Sequence, residues 1–148
     1  MSQSLRENRF ELVSRDLAKK LETLSEAQLR ELGIAAVKIA LERTGVTGEG
    51  VDEGLNAHAA GNFGDPLVLK KVESLVNELD ERQWELQAKV ESGSVDKSVQ
   101  TVAFLEARAV HALFFALNQD PLTAAQETLY EAHIVIQELE VLEDLTER

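Results

Sequence analysis

The apolar positions of this chain recur at helical spacing almost from end to end. Phe10, Val13, Leu17, Leu21 and Leu24 follow steps of three and four residues, which predicts an amphipathic helix over residues 5–23. Ser25-Glu26-Ala27-Gln28 then has capping-box spacing: the serine hydroxyl caps a first-turn N–H and the glutamine reaches back. The helix it opens is expected to run to Thr44 and to end at Gly45, a residue suited to a left-handed terminus. Its apolar residues, Leu29, Leu32, Ile34, Val37, Ile39 and Leu41 among several alanines, cover well over half its circumference, so it is expected at the centre.

Two Asp-Pro pairs supply further start signals, an N-cap followed by a proline that needs no hydrogen-bond partner. Asp65-Pro66 predicts a helix to about Val90, with Val68, Val72, Leu75, Leu79, Leu86 and Val90 as its stripe. Residues 93–96, GSVD, form a turn into a helix over 95–118. Asp120-Pro121 opens the last helix, where Leu122, Ala125, Leu129, Ala132, Ile136 and Leu139 keep heptad spacing.

No segment shows strand alternation, so residues 1–148 read as a single all-α domain, a bundle of five long helices. The connection 45–64 holds six of the eight glycines: 45, 48, 50, 54, 61 and 64. Glycine costs a helix interior about 1 kcal/mol relative to alanine, so at most a sixth, short helix near Asp52–Ala60 is expected there. The segment reads as a flexible connection or as a mobile binding loop displaying Asp52, Glu53, His58 and Asn62. It lacks the Lys-Ser/Thr of a phosphate-binding loop.

Charge narrows the partners. With 27 acids against 15 lysines and arginines the formal net charge is −12, and no basic run exceeds Lys19-Lys20 or Lys70-Lys71. Such a surface repels phosphate backbones, so no nucleic-acid partner is expected. The surplus acid either keeps the protein soluble or steers a basic protein toward it. The absence of cysteine excludes disulfides and thiolate metal sites. No apolar leader and no run of eighteen uncharged apolar residues is present, so the expectation is a cytoplasmic protein without a membrane partner.

Residues 102–117, VAFLEARAVHALFFAL, pose the sharpest question, because only Glu106, Arg108 and His111 interrupt their apolar run. At 100° per residue Glu106 falls among Val99, Val110 and Leu117, in the middle of the main stripe. A buried, unpaired carboxylate costs several kcal/mol, so it calls for a partner, with Arg82 or Arg43 the candidates. It reads otherwise as a functional acid, or as the point where the stripe opens to solvent. Arg108 and His111 lie on the other side with Phe104 and Phe115, a face that is core if another helix covers it and an interface if none does. Trp84 likewise stands off its helix's stripe.

The C-terminal acids Glu138, Glu140, Glu143 and Asp144 oppose the helix dipole, which suits either a frayed end or an acidic surface for a basic protein. Val135, Val141, Leu142 and Leu145 among them form a ridge that can pack on the bundle or on a second copy. No histidine follows a glutamate at the Glu-x-x-His spacing of bundle metal sites, since Leu55, Arg108 and Tyr130 occupy those positions. HExxH and GxSxG are absent too, and no catalytic residue, metal or cofactor is expected.

In composition and architecture the chain resembles the small, acidic, cysteine-free helical proteins that act as bacterial toxin-immunity or inhibitor proteins. The likeness matches no residue motif and transfers no functional residue. The expectation is a non-enzymatic protein that binds and neutralises a basic toxin or nuclease. Its candidate contacts are Trp84, Phe104, Arg108, His111, Phe115, Glu138, Glu140, Glu143 and Asp144. The alternatives are a small-molecule- or metal-dependent helical enzyme, and a homo-oligomeric structural or regulatory module, for example a homodimer through the C-terminal helix.

Overall fold

Side-chain caps decide where most helices of this chain begin. In the computed structural model, which describes residues 9–147, Ser14 accepts from the Leu17 N–H at 3.1 Å and starts α1, Arg15–Leu21. Ser25 and Gln28 form both halves of the capping box that opens α2, Glu26–Thr44, and Gly45 closes it at φ 71°. Asp65 and Asp120 cap α4, Pro66–Glu91, and α6, Pro121–Ile136, each with proline in the first turn. Asp96 caps α5, Lys97–Ala116, while α3, Glu49–Ala59, and α7, Leu139–Thr146, begin without a side-chain cap bond.

The described residues therefore hold seven α-helices and no strand, 80% helix in all, rather than five long helices. The predicted helix over 5–23 is broken: Arg9–Leu12 is a 3-10 turn, and Ser14 takes extended geometry to cap α1. A serine that bonds its own backbone ahead of it competes with the continuing helix. Residues 5–8 lie outside the described residues. The last helix is broken as well, at Gln137, which adopts φ 56° and donates its N–H to the His133 carbonyl at 2.8 Å. Leu139 accordingly begins α7 instead of extending α6.

The central helix is α5, which packs against α2, α3, α4 and α6. Its buried face is Ala103, Ala107, Ala109, Val110, Ala112, Leu113 and Ala116. The alanines let several neighbours approach one helix at once, which a stripe of larger residues would prevent. By length and mean hydropathy α5 is apolar enough to cross a membrane, although Glu106, Arg108 and His111 interrupt it. The ridge of α7 is turned inward, with Leu142 fully buried and Leu145 nearly so.

The glycine-rich connection holds the short helix that its sequence left open, beginning at Glu49 rather than near Asp52. Its middle is α3, and two of its glycines are packing residues. A Cβ on Gly50 would stand 3.1 Å from the Lys71 carbonyl oxygen, and one on Gly54 would stand 2.8 Å from Leu113 Cδ2. Glycine lowers helix propensity here, and the close approach to α4 and α5 that it allows outweighs that cost.

That contest has a sign. Gly54→Ala gains about 1 kcal/mol of helix propensity, but the added methyl overpacks against Leu113 and Val72, a change that costs about 1–3 kcal/mol. A net loss of stability is expected in urea unfolding, and a more stable variant would show that the contact is loose.

Candidate functional site

Glu131 is a carboxylate with 1% of its surface exposed, held near the middle of α6 among Thr128, Leu129 and Ala132. A charge so placed needs charged donors, and two arginines supply them. Arg108 Nη1 of α5 donates to Glu131 Oε1 at 3.1 Å, and Arg9 Nη2 of the 3-10 turn donates to Oε2 at 3.1 Å. Arg9 also bonds Glu127 one turn earlier on α6. Burial alone would lower the Arg9 pKa, but its bonds and proximity to Glu127 and Glu131 raise it above the ordinary value.

The network continues to α4. Arg108 Nη2 lies 3.5 Å from Asp80 Oδ1, and His111 Nε2 lies 3.1 Å from Asp80 Oδ2. Aromatic rings close around these charges. The Arg9 guanidinium lies 4.2 Å from the Tyr130 ring centroid, and Arg108 lies 5.6 Å from that of Phe104. Three carboxylates, two arginines and one histidine thus join the N-terminal turn, α4, α5 and α6.

Helical spacing extends this cluster into a face. Trp84 stands one turn beyond Asp80 on the same side of α4, and Phe104 stands one turn before Arg108 on α5. Because the two helices form an antiparallel hairpin, both residues continue the face past its charged end. Trp84 is 57% exposed, whereas Phe104, Phe115, Arg108 and His111 are half-buried. Arg108 meets Phe104, and His111 meets Phe115 with ring centroids 6.4 Å apart, while Trp84 shares their side of the hairpin by helical spacing. The acids Glu138, Glu140, Glu143 and Asp144 are exposed but stand at or on α7, which packs against α2 and α6.

Glu106 is not the buried ion pair expected of it. It is half-buried, and neither Arg82 nor Arg43 bonds it: Arg82 is exposed, and Arg43 donates to Glu138 and to the Ile136 carbonyl. The reason lies in the reach of the bundle. The stripe that is core at Val110, Leu113 and Leu117 continues outward as Val99 and Val102, which are 45% and 56% exposed. Glu106 sits where that stripe opens to solvent. The buried acid is Glu131 instead, which falls within the apolar face of α6, a position obscured by the other acids of the C-terminal region.

A second buried cation is structural. Arg30, 9% exposed, donates to the carbonyls of Ala116, Asn118 and Gln119 at the end of α5 and stacks 3.6 Å over the Phe63 ring centroid. It occupies the orphan acceptors that every helix end presents. Phe63 meets His58 edge-on at 5.0 Å. Burial, then the positive charges of Arg30 and Lys38, hold the His58 pKa below its ordinary 6.5.

Neither opening described among these residues gathers catalytic groups. A groove of about 260 Å³ is lined by Leu24, Gln28, Glu31, Leu32, Ala35, Leu145 and Thr146, with Glu31 its one titratable side chain. A crevice beside Arg30 and His58 has no room for a water molecule. Among the described residues no cluster of three or more histidines and acids is placed to hold a metal ion. Comparison of the chain with protein-family models, with curated proteins and with solved structures finds no match.

The buried and half-exposed acids of this cluster predict unequal costs. Glu131→Gln removes a buried charge from between two arginines and should cost about 3 kcal/mol, as breaking a buried pair does. Glu127→Gln, in a more exposed bridge, should cost less than about 1 kcal/mol. Equal losses in urea unfolding would contradict the central place given to Glu131.

His58 predicts a pH dependence. Its folded pKa lies below its unfolded one, so the unfolded chain binds the proton more readily. Stability is therefore full above about pH 6.5 and falls as pH drops through and below that value. His58→Gln should flatten the fall of the urea midpoint between about pH 7 and pH 5. An unchanged slope would assign the dependence elsewhere.

Proposed function

We propose that this is a non-enzymatic protein that binds a basic protein, acting as an immunity or inhibitor protein that neutralises a basic toxin or nuclease in the cytoplasm. The observation that carries the reading is Trp84. It is a tryptophan 57% exposed, on one face with Phe104 and Arg108, on a hairpin whose distal half stands clear of the core. Tryptophan and arginine dominate the energetics of protein interfaces, and burying an exposed indole in a partner's pocket is worth far more than leaving it in water.

Charge supports the class of partner. Glu81, Glu85 and Glu91 are exposed within two turns of Trp84 on α4, on a chain of net charge −12. Such a field accelerates encounter with a cationic surface, and carboxylates can occupy sites that a nuclease keeps for phosphates. The acids of α7 add to the long-range field without touching the Trp84 face. A metal- or small-molecule-dependent enzyme gains no comparable support, because the 260 Å³ groove offers one acid. A dimer through α7 loses its intended ridge to the bundle, where Leu142 is fully buried.

The product of the adjacent gene is the first partner to test, since an immunity protein and its toxin are commonly encoded together. Its association rate with this chain should fall about ten-fold or more as ionic strength rises from about 0.01 M to about 0.5 M. Trp84→Ala should raise the dissociation rate about thirty-fold or more, as loss of a hot-spot residue does. Salt-independent association, or an unchanged dissociation rate, would overturn the reading.

A further inference from the structure

The helix that covers the inner part of the α4–α5 hairpin is poorly equipped to hold its own shape. α3 has eleven residues, two of them glycine, and no side chain caps its start. An isolated helix of that length is marginal in water, and interior glycines weaken it further. Its form therefore depends on its seat, which is mainly α4 and α5. Two more glycines bracket it, Gly48 at φ 152° and Gly61 at φ 72°, where the missing side chain lets the chain change direction at little steric cost.

The ties that hold α3 down differ along its length. In its first turns Lys71 bridges Glu49 and Glu53 at the surface, where ion pairs contribute little. Gly50 and Gly54 seat its middle on α4 and on Leu113. Beyond its far end the chain is pinned to the α5–α6 corner: Gly64 N–H donates to the Leu117 carbonyl at 2.9 Å, and Phe63 stacks on the Arg30 guanidinium. His58 belongs to this end tie, edge-on to Phe63 and half-buried in the crevice beside Arg30. The charges that act on it, Arg30 and Lys38 of α2, are both positive. The crevice is otherwise lined by the uncharged Leu29, Gly33, Ala116, Ala124, Ala125 and Thr128 of α2, α5 and α6. On α3 the nearest charge is Glu53, five residues earlier and engaged with Lys71. In the following connection Asp65 accepts from Asn62 and caps α4, while Glu26 and Asp120 act on Arg30. No carboxylate among the described residues pairs with His58.

We propose that α3 is an acid-released cover: protonation of His58 sets a third cation beside Arg30 and Lys38 at the pinned end of α3, and the helix lifts from the hairpin while the rest of the bundle stays folded. Arg30 cannot relieve the crowding, because an arginine keeps its proton and its donors are held by the carbonyls of Ala116, Asn118 and Gln119. His58 is the group that yields. Burial, then Arg30 and Lys38, disfavours its charged form in the docked helix, whereas in the released segment the ring is solvated and binds the proton more readily. Docking is therefore full above about pH 6.5 and weakens as pH falls through and below that value. Release uncovers Val72 and Leu113, both fully buried with α3 in place. The inference stands apart from the binding function proposed above.

Hydrogen exchange of the full-length native protein, followed amide by amide by NMR and corrected for the intrinsic rate at each pH, measures the release. Amides of residues 53–60 should exchange through a local opening, while those of α6 open only with the whole bundle. Between about pH 7 and pH 5 the local opening equilibrium should rise several-fold, at no more than about ten-fold per pH unit, the limit for one proton. The His58 ring protons, observed in the same samples, should titrate below the ordinary 6.5. His58→Gln should leave the opening of α3 unchanged across this range. Lys38→Gln, at an exposed position that leaves the fold intact, should make the rise smaller. Residues 53–60 that exchange only with α6 at both pH values would overturn the inference. So would a local opening that does not respond to pH, one whose response survives His58→Gln, or a His58 ring that titrates at 6.5 or above.

Discussion

A carboxylate with 1% of its surface exposed constrains everything around it. Glu131 in hydrocarbon without cations would be several kcal/mol too costly to ionise, so the fold has to deliver guanidinium groups to it. Arg108 comes from α5 and Arg9 from the N-terminal turn. Arg108 is itself half-buried and shared with Asp80, which draws α4 into the same cluster. One buried acid thereby ties four separate parts of the chain in a fixed register. Apolar packing gives these helices their affinity for one another. Directional charged bonds decide which turn of α4 meets which turn of α5.

The network also marks a boundary. On its inner side the hairpin is covered by α3 and packed against the rest of the bundle, with Val72, Val76, Val110 and Leu113 buried. On its outer side the two helices have mainly each other, and the buried seam between them includes Gln83, which accepts from Gln100 at 3.1 Å. An amide pair holds register there without adding much apolar burial. The arm consequently shows two edges of different character. One carries Trp84 among acids, the other carries the exposed Val99 and Val102. Among the described residues, the large apolar side chains left exposed on this arm are Trp84, Val99 and Val102.

Much of the fold was legible in the chain because caps act locally. The Ser25–Gln28 box, Gly45, and the two Asp-Pro starts each depend on residues within a turn of one another, and the structure has all of them. What failed depended on tertiary reach. Glu106 occupies the stripe of α5, but a helical wheel does not say which part of a stripe the neighbouring helices cover, and Glu106 is left half-buried. Gly50 and Gly54 looked like breakers because propensity counts the lost methyl and cannot see Leu113 waiting opposite. Glu131 was hidden by number, one acid among 27. Arg108 and His111 were rightly separated from Glu106 by the wheel. Their partner Asp80 lies 28 and 31 residues away, and only the hairpin fold brings it to them.

Native-state hydrogen exchange tests most directly whether the Glu131 network divides a locked bundle from a free arm. Amides of residues 107–116 and of α6 should exchange only through global unfolding. Those of residues 84–102 should exchange through local openings about 2 kcal/mol or more below the global value. Glu131→Gln should move the proximal hairpin toward the behaviour of the arm. An arm protected as strongly as the core in the free protein would contradict the account, since no such boundary would then exist.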